Sequence, residues 1–292
     1  MTTSPFGPSQ AAALGGGSFA TADVTSYIDC AIPRTTFRLR FDAAYDDTRP
    51  DRAEFFYAKC GCFRSAGLDP HAPGPPLPET KVDYQDILGY VEYAPSERFS
   101  VFAEVPWRFI NPEQNENTNG IADINVGLKA ALVRDRDQVL SAQIKAYIPS
   151  GDAFHGLGTD HYSVEPGALY FRRLTERAML NAELRYWIST GGTDFSGSVL
   201  RYGVGLGYDL TQGCNWKLTP VAEFVGWTVL SGKEATFTGQ TFDASGDTIV
   251  NAKLGARFFF GEHSSIAASY GHALTGTTWY KDIVRLEYRW QF

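Results

Sequence analysis

The sequence predicts an all-β fold: a closed antiparallel transmembrane β-barrel of about 12 strands, with short periplasmic turns and longer extracellular loops. Three observations carry this. Apolar and polar residues alternate with period two along most of the chain, as in strands with two unlike faces. The alternating segments mostly run to about 10 residues or more, where soluble strands average about 5–6 and a tilted bilayer-crossing strand needs about 9–11. The connections alternate between short and long.

Composition narrows the field first. The chain has 292 residues, 43% hydrophobic and 20% charged, with a net charge of −7. That is too apolar for disorder and argues against a nucleic-acid binder. The longest apolar runs, such as Ala130 to Val133, reach only about four residues, where a spanning helix needs about 20. An aromatic content of 14%, 29 glycines and 2 methionines favour strands.

In chain order, residues 1–36 read as a flexible N-terminal periplasmic segment and 37–292 as the barrel. Met1 to Ala20 shows neither a basic start nor an apolar core, so no secretion signal is expected within it. Strands are expected at 37–46, 83–94, 99–110, 121–133, 138–149, 162–172, 178–190, 198–210, 215–229, 248–260, 264–274 and 279–292. The third shows the pattern plainly: Phe99, Val101, Ala103, Val105 and Trp107 alternate with Ser100, Phe102, Glu104, Pro106 and Arg108. The last sets Tyr280, Val284, Leu286, Tyr288, Trp290 and Phe292 against Ile283, Arg285, Glu287 and Arg289.

The long connections are 47–82, 111–120, 150–161, 191–197 and 230–247, all on one side; 275–278 is the short exception there. Aromatics gather at strand ends, among them Tyr45, Tyr93, Phe99, Trp107, Phe109, Trp216, Trp290 and Phe292. That distribution suits interfacial girdles on a lipid-facing wall. The closing Tyr288, Trp290 and Phe292 resemble the C-terminal signal by which bacterial outer-membrane barrels are recognised for assembly.

If the apolar face meets lipid, the other lines the interior. From the first three strands the expected lumen charges are Arg38, Arg40, Asp42, Asp86, Glu92, Glu104 and Arg108. The middle strands add Asp123, Lys129, Lys145, Glu165, Glu183, Arg185, Arg201 and Glu223. The last add Lys253, Arg257, Arg285, Glu287 and Arg289. Both signs mix, so the charges either set selectivity or pair across a narrow bore. Aromatics including Tyr84, Tyr90, Phe102, Tyr147, Trp187, Trp227 and Trp279 share that face, as do Gly127, Gly203, Gly205, Gly207 and Gly255. Inward glycines relieve curvature or make room for an inward loop.

Catalysis is not expected. No GxSxG motif occurs, and His272 has the lipid-facing parity while Ser269 has the inward one. His155, His161, Asp152 and Asp160 share a loop without tight ligand spacing, and none of Cys30, Cys60, Cys62 and Cys214 forms a CxxC pair. No metal or cofactor is expected. For Cys60 and Cys62, free thiols, a cross-loop bond and surface attachment all stay open, since a CxC disulfide is strained.

Four stretches resemble the outer-membrane family described as the MetA-pathway of phenol degradation. They are Glu104-Val105-Pro106; Ala122-Asp123-Ile124-Asn125-Val126-Gly127-Leu128-Lys129; Ile148-Pro149-Ser150-Gly151-Asp152 with Gly156-Leu157-Gly158-Thr159; and Tyr202-Gly203-Val204-Gly205-Leu206-Gly207-Tyr208. The resemblance spans about residues 99–225 and leaves out loop 47–82 with its Lys59-Cys60-Gly61-Cys62. It implies passage of small molecules, hydrophobic or aromatic compounds among them, across a bacterial outer membrane. The expected partners are outer-membrane lipid, the barrel assembly machinery and small-molecule solutes, with the oligomeric state undetermined. The rival readings are a non-conducting structural barrel and a membrane-embedded hydrolase.

Overall fold

The structure, a computed structural model, describes residues 24–236 and 238–292. Among them, twelve long strands close into one antiparallel barrel. They are β1 (Thr36–Asp47), β2 (Val82–Ser96), β3 (Phe99–Pro112), β4 (Ile124–Arg134), β5 (Gln138–Ile148), β6 (Tyr162–Arg173), β7 (Ala178–Thr190), β8 (Ser198–Tyr208), β9 (Trp216–Val229), β10 (Thr248–Phe260), β11 (Ser264–Ala273) and β12 (Asp282–Gln291). Each pairs with its neighbour in sequence. β12 returns to β1 over a register from Thr36↔Gln291 to Tyr45↔Asp282, which leaves no open sheet edge. No helix among the described residues is long and apolar enough to cross a membrane.

The wall is inverted relative to a soluble protein. Leu254 is 66% exposed, whereas Arg257, three residues along the same strand, is 0% exposed. On β3 the Phe99, Val101, Val105 and Trp107 side chains are exposed, and Ser100, Phe102 and Glu104 are buried. Every strand-end aromatic named above faces outward, as interfacial rims require, and the belt between them is mainly aliphatic, with Phe41 and Phe224 facing outward mid-strand.

Most expected boundaries hold to within two residues, and two strand starts move by three. Strand 121–133 begins at Ile124, because Thr118–Ile121 pairs separately with β3 and Ala122-Asp123 bulges between the two segments. Strand 279–292 begins at Asp282. Tyr280, assigned by parity to the lipid face, lies before it and is buried, its hydroxyl 2.6 Å from Lys253 Nζ. Parity holds only while the chain is extended, and Tyr280 sits in the connection.

Two chain segments occupy the bore. Residues 24–35, part of the segment expected to be flexible and periplasmic, rise inside the barrel, with Val24, Thr25, Tyr27 and Ile28 almost fully buried. Residues 1–23 of that segment lie outside the described residues. At the other end the connection after β1 folds inward and buries Arg52, Ala53, Tyr57 and Lys59.

Candidate functional site

The charges expected to line the lumen are turned inward, except Asp123, which is tied into an outer loop. Arg40, Arg108, Asp123 and Arg201 are half-buried and the others buried. Isolated charges in such a space would be costly, and the strand registers bring opposite signs together. Arg285 grips Asp42 with bonds of 2.6 and 2.7 Å, and Arg108 grips Asp86 with 2.8 and 2.9 Å. Lys129 reaches both oxygens of Glu92 at 3.0 and 3.1 Å. Glu287 takes Arg257 and Arg289, each at 2.6 Å. Arg201 meets Glu183 at 2.7 Å, and Arg38 meets Glu104 at 3.2 Å. Fork-shaped guanidinium pairs of this kind hold side chains in fixed positions.

Part of this charge serves the N-terminal segment. The Glu223 carboxylate accepts the backbone N–H groups of Ser26, Tyr27 and Ile28, at 3.3, 3.1 and 3.1 Å. Glu183 accepts the Asp29 N–H at 3.1 Å. The carbonyls are held by cations: Val24 and Thr25 by Arg257, Ser26 by Arg285 and Tyr27 by Arg201. The Asp29 carboxylate meets Lys145 at 2.7 Å and Arg185 at 3.0 Å. A bent segment without sheet partners thus has its polar groups answered by side chains.

The segment fits because β8 is hollowed. Gly203, Gly205 and Gly207 face it on alternate positions; a Cβ at Gly207 would stand 2.5 Å from Val24 and one at Gly205 2.8 Å from Thr25. Below, Val24, Ala31 and Ile32 pack against Val139, Leu169, Phe171, Met179 and Phe259, an apolar stopper near the short-turn end.

The opposite end carries a roof of outer loops. Arg52, wholly buried, reaches Glu234 and Asp247 at 3.2 Å each and donates to the Thr278 carbonyl, joining three connections. Arg49 also bonds Glu234. Lys59 pairs with Asp51 at 2.9 Å, with the Phe63 and Phe195 rings 4.0 and 3.7 Å from its nitrogen. Burial lowers the Lys59 ammonium pKa below its ordinary value. Glu54 accepts N–H groups from Lys59 and Thr193, yet burial raises its carboxyl pKa. Gly197 lets two loops touch, since a Cβ there would meet the Ser231 carbonyl at 1.9 Å. Cys60 and Cys62 are joined to each other as a disulfide in this roof, the pairing that the sequence reading set aside as strained. Phe55 and Phe56 hang beneath, Phe55 edge-on to Trp187 at 5.1 Å and Phe56 beside Tyr84 at 4.6 Å.

The residues weighed for catalysis do not assemble. Ser269 faces inward against Ser26, and His272 faces outward against Asp282 at 2.7 Å. His155 bonds Asp152 on the surface, while His161 turns inward to Ser163. No cluster of three or more metal-ligating side chains occurs among the described residues.

A family model described as the MetA-pathway of phenol degradation matches residues 73–282. The chain belongs to that family. No curated protein sequence matches it. Among solved structures, an outer membrane channel from Pseudomonas putida F1 is similar with a TM-score of 0.56 at 14% identity, over 91% of this chain and 98% of that one. The β domain of the Bordetella autotransporter BrkA is similar with a TM-score of 0.53 at 11% identity, over 89% and 100%. At these identities the likeness is one of fold.

The stretches that carry the MetA-pathway of phenol degradation resemblance have structural duties here. Asp123, expected as a lumen charge, is a loop staple: it accepts the N–H groups of Gly151 and Thr159 and the Thr159 hydroxyl, each at 3.0 Å. Ser150 bonds the Ala122 carbonyl at 2.9 Å. The two motifs are halves of one joint, which seats Leu157 over the bore. What sequence reading missed is the loop 47–82 roof and the N-terminal segment. The alternating glycines of β8 were the signal for the second; the first had none beyond its length.

Proposed function

We propose that this chain resides in a bacterial outer membrane as a channel for small molecules, hydrophobic or aromatic compounds among them, with a narrow, charged lumen. The observation that carries this is the pairing of a lipid-compatible outer wall with a bore lined by charges and filled by two chain segments, whose Tyr27, Ile28 and Ala53 pack among inward wall side chains such as Trp187 and Trp227. Segments that are not part of the wall can leave and return without breaking the barrel's own strand pairing. Outer-membrane lipid surrounds the barrel, and Tyr288, Trp290 and Phe292 present the assembly signal. The lumen charges act mainly by positioning the filling segments and narrowing the path.

Single-channel recording in planar bilayers tests the reading. The expected result is small, discrete conductance steps with frequent closures. A protein that folds to a heat-modifiable barrel yet never conducts and never admits small solutes to liposomes would be a structural barrel instead. The hydrolase alternative is tested by an esterase assay in detergent, with no turnover expected.

A further inference from the structure

Beneath the Phe55 and Phe56 rings of the roof lies a cavity of about 200 Å³, walled by β1 to β7. For scale, a cavity of about 150 Å³ accommodates benzene. Its two sides differ. Phe55, Phe56 and Trp187 give flat apolar surface, and Tyr147 is turned away by the bond from its hydroxyl to Glu165 at 2.8 Å. The polar side is already neutralised: Arg108 is forked onto Asp86, and Glu104 is engaged by Arg38.

Two polar atoms on that side lack a hydrogen bond, Arg40 Nε and Asn125 Oδ1, and of these only Arg40 has an ion-pair partner, Asp42 at 3.1 Å. Asn125 is 5% exposed, and its Oδ1 has no hydrogen-bond partner among the described residues. Its Nδ2 donates to Glu104 Oε1 at 3.1 Å. That bond fixes the amide, because turning it over would set Oδ1 against a carboxylate oxygen. Asn125 therefore presents a fixed acceptor beside aromatic rings. A buried acceptor without a donor is destabilising, so the site rewards an occupant that brings one.

We propose that this chamber is a binding site for a neutral, single-ring molecule bearing a hydroxyl or N–H donor, which stacks under Phe55 and against Trp187 and donates to Asn125 Oδ1. Anions are disfavoured: the two lining guanidiniums are paired with carboxylates, Arg108 with Asp86 and Arg40 with Asp42 and Glu104, and the Asn125 amide N–H is given to Glu104. The inference deepens the channel reading and rests on it only for how the molecule arrives.

The test is calorimetric titration of the whole protein in a non-aromatic detergent, against an empty-micelle blank. Benzyl alcohol, benzyl methyl ether and benzoate are the probes. Benzyl alcohol is expected to bind at least about tenfold more tightly than the ether, which lacks the donor, and than benzoate. Asn125→Leu, checked for folding by heat-modifiable mobility, is expected to remove that preference while leaving the ether unchanged within about twofold. Equal binding of alcohol and ether to the unaltered protein, or no binding of either, overturns the proposal and needs no variant. A preference that survives in Asn125→Leu also overturns it. The channel reading is judged separately: binding without conductance would sink the channel and keep the chamber, and conductance without binding would do the reverse.

Discussion

Single residues set the strength of the roof. Ala53 and Glu54 both adopt positive φ, at 54° and 48°, a conformation costly for residues with a Cβ. It is held because the Ala53 carbonyl accepts Gly197 N–H and the Glu54 carboxylate accepts two more. Burial raises the Glu54 pKa, although those donors and the nearby His161 favour the ionised form. A carboxyl so raised binds more protons docked than free, so the docked roof loses stability as pH rises from the ordinary glutamate value through the raised one. Lowering the pH through that window strengthens docking. Conductance is therefore expected to fall as the medium is made mildly acidic, and Glu54→Gln is expected to flatten that response. A Glu54→Gln protein that keeps the full pH response would contradict this.

Strands carry the next set of consequences, because each has two faces with opposite requirements. Leu254, mid-way along β10 and exposed, faces the apolar belt. Leu254→Arg is expected to destabilise the barrel by about 2–4 kcal/mol, the range for a cation at the bilayer midplane. Equilibrium unfolding from liposomes measures it. On β8 the requirement is reversed. Gly205→Val supplies a better strand former, but its Cβ enters the space of Thr25 and Ile28. The barrel is expected to fold with its heat-modifiability intact while the N-terminal segment is displaced, read as faster protease cleavage between residues 24 and 35 and larger current steps. Unchanged cleavage would mean that the glycines do not make the groove.

At the scale of the molecule, the N-terminal segment and the roof are two resistances in series in the channel proposed above. Deleting residues 1–32 leaves the roof, and Arg52→Ala, which removes the cation joining three loops, leaves the segment. Each alone is expected to raise single-channel conductance only modestly, because the other constriction persists. Together they are expected to raise it by more than the product of the separate factors. A combined effect no greater than the larger single one would place the limiting constriction elsewhere.

Barrel, strand number and facing were legible in the chain because they follow from local rules. An extended segment with period-two chemistry can bury only one face, and lipid accepts only the oily one. Hence Phe99 to Arg108 and Val284 to Phe292 were assigned correctly, residue by residue. Ala122-Asp123 and Tyr280 defeated the same reasoning, since a bulge or a turn breaks parity without changing composition. The partner of each inward charge depends on which strands the closing register sets side by side, and on a segment more than 190 residues away in sequence reaching Glu223. The filled bore, the roof latched by Arg52 and the unsatisfied acceptor of Asn125 arise from such distant meetings. Periodicity tells a strand which way to face; only the closed cylinder tells it whom it faces.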